Sequence, residues 1–315
     1  MQNRPPSIVR RREDSAVHIR DLVDRCPVPR NQIAALSGLT NTYIRDLEQG
    51  KIVNVGREKL IALGVALNLS LKEIDRLMTV FDRRPLSLDD IPLFLQTAEQ
   101  RRFSNAFLPV YDDMTLGLIF LSAERLPGRR VVVSSEPTVC LREPGHRLYA
   151  QRKLVQSHPI YGPLVDAIGG ARQKTLVDQL GHQIVVQYIC RYCLCSYLAE
   201  AGDEVERRWR RRHVKNVIRF IETYDNWHFH LVDTCPTFIF VLKETPQAPD
   251  KLILTQQPRH RFQGRRADKL VGFTTENPVV VQNFKKELSA IAAVTIPAFQ
   301  DRRSVVDHLY RLLSA

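Results

Sequence analysis

Residues 28–52 read VPRNQIAALSGLTNTYIRDLEQGKI. Ile33, Ala34 and Leu36 fall on the inward side of a short helix. Gly38 stands where a tight turn needs a positive φ, and Leu39 fills the gap beyond it. Thr40 or Asn41 can cap a second helix by accepting from its free N–H groups. Ile44 and Leu47 are that helix's buried positions, and Gly50 ends it. This spacing predicts two short helices crossing at a tight turn, the second presenting its opposite face outward. The outer face carries Asn41, Thr42 and Arg45, with Tyr43 and Gln49 beside them. Asn or Gln can pair with adenine, Arg with guanine, and a Thr methyl can pack on thymine.

Working outward, Ala16–Arg25 reads as a preceding helix, with Val17, Leu22 and Val23 turned inward. REKLIALGVALN (57–68) carries apolar residues at Leu60, Ile61, Leu63, Ala66 and Leu67. SLKEIDRLM (70–78) opens with Ser70 and has Glu73 three residues on, a capping box. Five helices in order over residues 16–78 resemble the Cro/repressor-type, or xenobiotic-response-element, helix-turn-helix family. IAALSGLT, YIRDLEQGK and KLIALGVALNLSLKEI carry the resemblance, which spans about a fifth of the chain. It implies that Asn41–Gln49 is a recognition helix with Thr40, Asn41, Thr42 and Arg45 nearest the bases, and Tyr43 is a further DNA-binding candidate on the same helix. It also implies that Arg30, Asn31 and Gln32, opening the preceding helix, and Lys51, following the recognition helix, meet DNA. Pro29 departs from the family's usual Ser or Thr but suits a helix start. The competing reading of the same helices is a module for protein contacts.

The 315 residues are enough for two domains. A formal charge of +12 favours polyanionic partners. Residues 1–80 hold 13 Lys+Arg against 9 Asp+Glu, a net of +4, which leaves +8 for residues 81–315. No run approaches the roughly 18 apolar residues of a membrane span, and MQNRPPSIVRRRED lacks the apolar core of a signal peptide. A cytoplasmic, nucleoid-associated protein with no membrane partner is expected, and its six cysteines are then thiols or ligands rather than structural disulfides.

The expected organisation is a disordered basic arm (1–14), a helix-turn-helix domain (15–80), a helical linker broken at Pro85 (81–107), and an α+β or α/β domain (108–315). In the last part, 116–122, 130–135, 227–233, 237–243, 251–256 and 271–275 read as strands. Residues 172–200, 203–224 (capped by Asp203), 277–293 and 301–314 read as helices.

Three features there bear chemistry. In CRYCLC (190–195), Cys190 and Cys193 share one helical face. With no second CxxC and only His182 and His213 near in sequence, small buried side chains are the simpler reading, and a metal or redox sensor is the alternative. In WHFHLVDTC (227–235), His228 and His230 point the same way on a strand. With Asp233 or Cys235 they could form a metal or acid–base group, against a plain exposed strand face. RRWRRRHVK (207–215) and RHRFQGRR (259–266) interleave cations with aromatics, against a solvated helix face. Gly169–Gly170 reads as a turn between helices, too little for a phosphate cradle, and no nucleotide fingerprint or nucleophile elbow occurs.

The expectation is a homodimeric regulator that reads an inverted repeat in the major groove of double-stranded DNA. Residues 108–315 would dimerise the protein or sense a small-molecule effector, and no cofactor is called for. The reading from another class is an enzyme or defence effector in 108–315, with the helices as a targeting module.

Overall fold

The computed structural model describes residues 8–101, 108–110, 113–150, 158–255, 272–299 and 301–314. The chain mixes α and β and divides into two compact units: Met1–Ser104 with Leu154–Leu164, and Asn105–Lys153 with Val165–Ala315.

The first unit is helical: α1 (Ile8–Arg25), α2 (Arg30–Ser37), α3 (Asn41–Glu48), α4 (Arg57–Ala66), α5 (Leu71–Val80), a 3-10 turn (Leu88–Asp90) and α6 (Ile91–Gln100). α4 is its centre, buried on every side from Leu60 to Ala66 and packed against α2, α5 and α6. Gly64 lets α5 approach, because a Cβ there would lie 2.7 Å from Ile74 Cγ1. Ser70 and Glu73 close the expected capping box on α5.

Three expectations change here. α1 begins at Ile8, so residues 8–14 are helix rather than arm, and residues 1–7 lie outside the described residues. Val17 is 56% exposed, and Ile19, fully buried, takes the inward place assigned to it. Residues 91–100 are no linker: α6 packs on α4 and α2, and Arg57 grips Asp90 through two bonds of 2.9 and 2.6 Å. The unit also recruits a later segment, since Asp75 accepts from the Leu86 N–H (2.6 Å) and pairs with His158 Nε2 (2.9 Å).

The second unit is built on a seven-stranded sheet: β1 (Leu108–Val110), β2 (Arg129–Ser134), β3 (Val185–Cys190), β4 (Trp227–Val232), β5 (Ile239–Glu244), β6 (Lys251–Thr255) and β7 (Gly272–Thr275), in the order β1-β7-β6-β5-β2-β3-β4. β2, β3 and β4 are parallel and the other pairs antiparallel. The helices are α7 (Asp113–Glu124), α8 (Pro144–Ala150), α9 (Tyr161–Leu180), α10 (Arg191–Ala199), α11 (Glu204–Thr223), α12 (Pro278–Ala293) and α13 (Arg302–Ser314). Alternation along the strands feeds two cores. Val185, Ile189, Trp227, Phe229 and Leu231 pack beneath α9, α10, α11 and α13. Val131, Val133, Val186, Tyr188, Phe240 and Leu242 pack beneath α12.

Two expected elements are of the other kind. Residues 116–122 lie in helix α7, whose side chains are buried nearly all round. Residues 172–200 are not one helix, because β3 runs through the middle, wholly buried. Gly169 and Gly170 sit within α9 rather than in a turn. Gly169 leaves room for Arg147, whose guanidinium pairs with Asp166 at 2.6 Å. Val271 and the basic run 259–266 lie outside the described residues.

Two buried polar groups tie this unit together. Glu124, 1% exposed, meets Arg130 (2.6 Å) and both Nε and Nη2 of Arg172 (3.0 and 2.8 Å). Burial pushes its carboxyl up, but the two guanidiniums more than offset this and hold it below its ordinary value. On α11, His213 Nε2 donates to the Thr138 carbonyl (3.0 Å), so Nδ1 accepts from the Tyr197 hydroxyl (2.8 Å) and the ring is neutral. Among the described residues, no helix is long and apolar enough to cross a membrane.

Candidate nucleic-acid interface

The turn between α2 and α3 is built as its residues require. Gly38 takes φ +70°, the left-handed cap that ends α2. The Thr40 side chain accepts from the Tyr43 N–H at 3.0 Å and caps α3. Ile44 and Leu47 are sunk into the unit's core, and Gly50 at φ +67° turns the chain away. Burying one side of so short a helix leaves the other to solvent: Thr40, Asn41, Thr42, Arg45 and Gln49 are all exposed. Arg45 makes no ion pair or side-chain hydrogen bond among the described residues. The first-turn N–H groups of α3 add partial positive charge at the end that bears Thr40, Asn41 and Thr42.

The remaining candidates are committed to different degrees. Lys51 is exposed and, among the described residues, pairs only with Asp46 at 3.6 Å. Asn31 is exposed and Gln32 half-buried, its amide oxygen covered and without a hydrogen-bond partner among the described residues. Tyr43 lies under the Lys59 ammonium, 4.6 Å from its ring centroid. Lys59, which sequence periodicity gave no reason to single out, thereby brings a cation to the foot of α3. Arg30 donates to Glu48 at 2.8 Å. Glu48 is 7% exposed, so Arg30 ties the start of α2 to the end of α3 as well as facing solvent.

The second unit rearranges its candidates. Cys190 ends β3 and caps α10, with Cys193 in the first turn that follows. Cys235, in the turn after β4, joins them, and the three sulfurs lie within 4.8 Å of one another. Cys193 and Cys235 are 3.4 Å apart. Burial first, then the neighbouring thiols, push the Cys193 thiol well above its ordinary value. The group stands at the carboxyl ends of two parallel strands, a usual location for chemistry in α/β sheets. Cys235 was weighed from sequence only as a neighbour of His228 and His230. Its partnership with the CxxC depends on a parallel strand pairing that spacing along the chain does not reveal.

His228 and His230 do share a face of β4, as expected, but they join no group of three or more His, Cys, Asp or Glu side chains among the described residues. His230 instead stacks on Tyr188, their centroids 5.1 Å apart. The basic run on α11 is engaged at three of its six cations. Arg207 pairs with Glu204 at 2.5 Å, Arg210 pairs with Glu206, and Arg212 lies over the Trp209 ring.

The chain matches no family model, no curated protein and no solved structure.

Proposed function

We propose that the chain is a sequence-specific transcriptional regulator that binds double-stranded DNA through α3. The supporting observation is the two-sidedness of that helix: Ile44 and Leu47 anchor it, while Asn41 and Thr42 stand exposed in its first turn and Arg45 in its last. A helix of this size fits the major groove, where Arg45 can take both acceptors of guanine and Asn41 the edge of adenine. Lys51 and Lys59 supply phosphate-neutralising charge on either side. In this reading α2–turn–α3 is a helix-turn-helix, and the first unit belongs to the Cro/repressor kind that its sequence resembles.

One such unit reads only a few base pairs. The regulator therefore acts as a homodimer on an inverted repeat, its half-sites about 34 Å or a multiple apart. The second unit dimerises the chain or answers a small effector by changing the spacing of the two α3 helices. Selection of bound oligonucleotides from a random pool, followed by footprinting, tests this. An enriched inverted repeat is expected, and Arg45→Ala should relax the preference at one base pair and cost about 1–3 kcal/mol. Binding that is equally tight to every sequence, or indifferent to Arg45→Ala, overturns it.

A further inference from the structure

We infer that Cys190, Cys193 and Cys235 form a three-thiolate binding site for a soft divalent cation of the zinc class. Sulfur ligands about 2.3 Å from a tetrahedral ion stand roughly 3.8 Å from one another. The three sulfurs, within 4.8 Å of one another and 3.4 Å apart at the closest pair, bracket that edge.

The framework is already arranged for it. Cys190 is fully buried at the end of β3, held among Val186, Tyr188 and Val232 in the core. Cys193 follows within the first turn of α10. Cys235 comes from the loop after β4, and that loop is pinned beside the other two. Arg191 Nε pairs with Asp233 at 2.6 Å, and Val232 bridges to Thr295 beneath it. Asp233 pairs with Arg191, and among the described residues the ligand group holds these three sulfurs alone, which leaves a fourth position open. Three protein ligands with an open fourth place is the pattern of a site that exchanges water or an outside thiol, rather than a closed structural site. Three soft donors without oxygen or imidazole select zinc and other thiophilic ions over magnesium or calcium. A disulfide would account for only two of the thiols, and Cys190 is too enclosed to meet a partner molecule.

The site is separate from the DNA-binding reading, and its test uses no DNA. The reduced full-length chain is titrated with cobalt(II), whose thiolate charge-transfer absorption grows with the number of bound sulfurs. One ion per chain, an intensity matching three thiolates and displacement by zinc(II) are expected. Because even loss of a supporting residue around a metal weakens binding about 10–100-fold, Cys193→Ser and Cys235→Ser should each weaken cobalt binding by more than that. Cys26→Ser and Cys195→Ser should leave it unchanged. Cys235 is exposed, so Cys235→Ser is not expected to disturb the fold, which circular dichroism checks. Absence of the absorption in the reduced chain, or undiminished binding in folded Cys235→Ser, overturns the proposal.

Discussion

Gly38 is asked for two things at once. Its φ is +70°, and a Cβ there would stand 3.0 Å from Gln100 Cβ and 3.2 Å from the Gln100 carbonyl oxygen. Left-handed backbone costs an ordinary residue roughly 1–2 kcal/mol, and α6 cannot yield cheaply. Gly38→Ala should therefore lower the stability of the first unit by at least that much in urea unfolding. An unchanged midpoint would mean that the turn relaxes. Arg30 carries a related lesson. Arg30→Ala removes the partner of a nearly buried carboxylate, which costs on the order of 1–3 kcal/mol. Weaker DNA binding by that variant would confuse folding with contact. Lys51 is the cleaner probe, because exposed pairs such as the one it makes with Asp46 contribute about 0–1 kcal/mol. In the second unit, Glu124→Ala should cost roughly 3–5 kcal/mol, since it leaves Arg130 and Arg172 buried together without a counter-charge. A loss below 1 kcal/mol by chemical denaturation would show that water reaches the cluster.

Among the elements, α8 and α11 carry the strongest dependence on acidity. Burial, then Arg142 and Arg210, push His146 down to about 3. Burial, then Arg142, push His213 well below its ordinary value, with the His146 ring edge-on 5.6 Å away. Tyr197 donates to His213 from α10. Both histidines are neutral when folded and titrate near 6.5 when unfolded, so between those values the unfolded chain binds more protons. Stability is then lost as pH falls below about 6.5, by at most about 1.4 kcal/mol per pH unit for each ring. The urea midpoint should fall from pH 7 to pH 5, and His146→Phe, which can keep the contact with Trp209, should flatten that fall. A slope identical to the parent's would place the titrating groups elsewhere.

How far these elements were legible depended on whether they had two faces. α3 and α5 each put apolar residues on one side and a capping residue in front, so their spacing and ends could be read. Asp203 announced α11 in the same way, and its side chain accepts from the Glu206 N–H at 2.8 Å. α7 has no polar side, and a helix buried all round imitates the apolar run of a strand. β3, also buried on both faces, imitated a stretch of helix between α9 and α10. The exposed face of α3 could be chosen from local pattern alone. The thiol group could not, because Cys235 reaches Cys193 across 42 residues only when β3 and β4 lie side by side.

At the scale of the whole molecule, charge governs how the chain meets a polyanion. The excess is shared, +4 in residues 1–80 and +8 beyond, from the total of +12. Arg207 and Arg210 of α11 are already paired within the protein. If DNA is held at α3, its affinity should fall with salt along a log–log line whose slope is about −0.9 per phosphate neutralised. Lys51→Ala should reduce that slope by about 1 while weakening all sequences alike. Filter binding at several salt concentrations measures both, and an unaltered slope removes Lys51 from the interface.

The pairing of Asp75 with His158 also has a temporal side. The amino-terminal unit draws on Leu154–Leu164, where Ile160 is 2% exposed and Leu164 fully buried. A ribosome must therefore deliver more than fifty residues beyond α6 before that unit has all of its parts. A nascent chain stalled earlier, or a fragment trimmed at the end of α6, holds Asp75 with no imidazole to meet it.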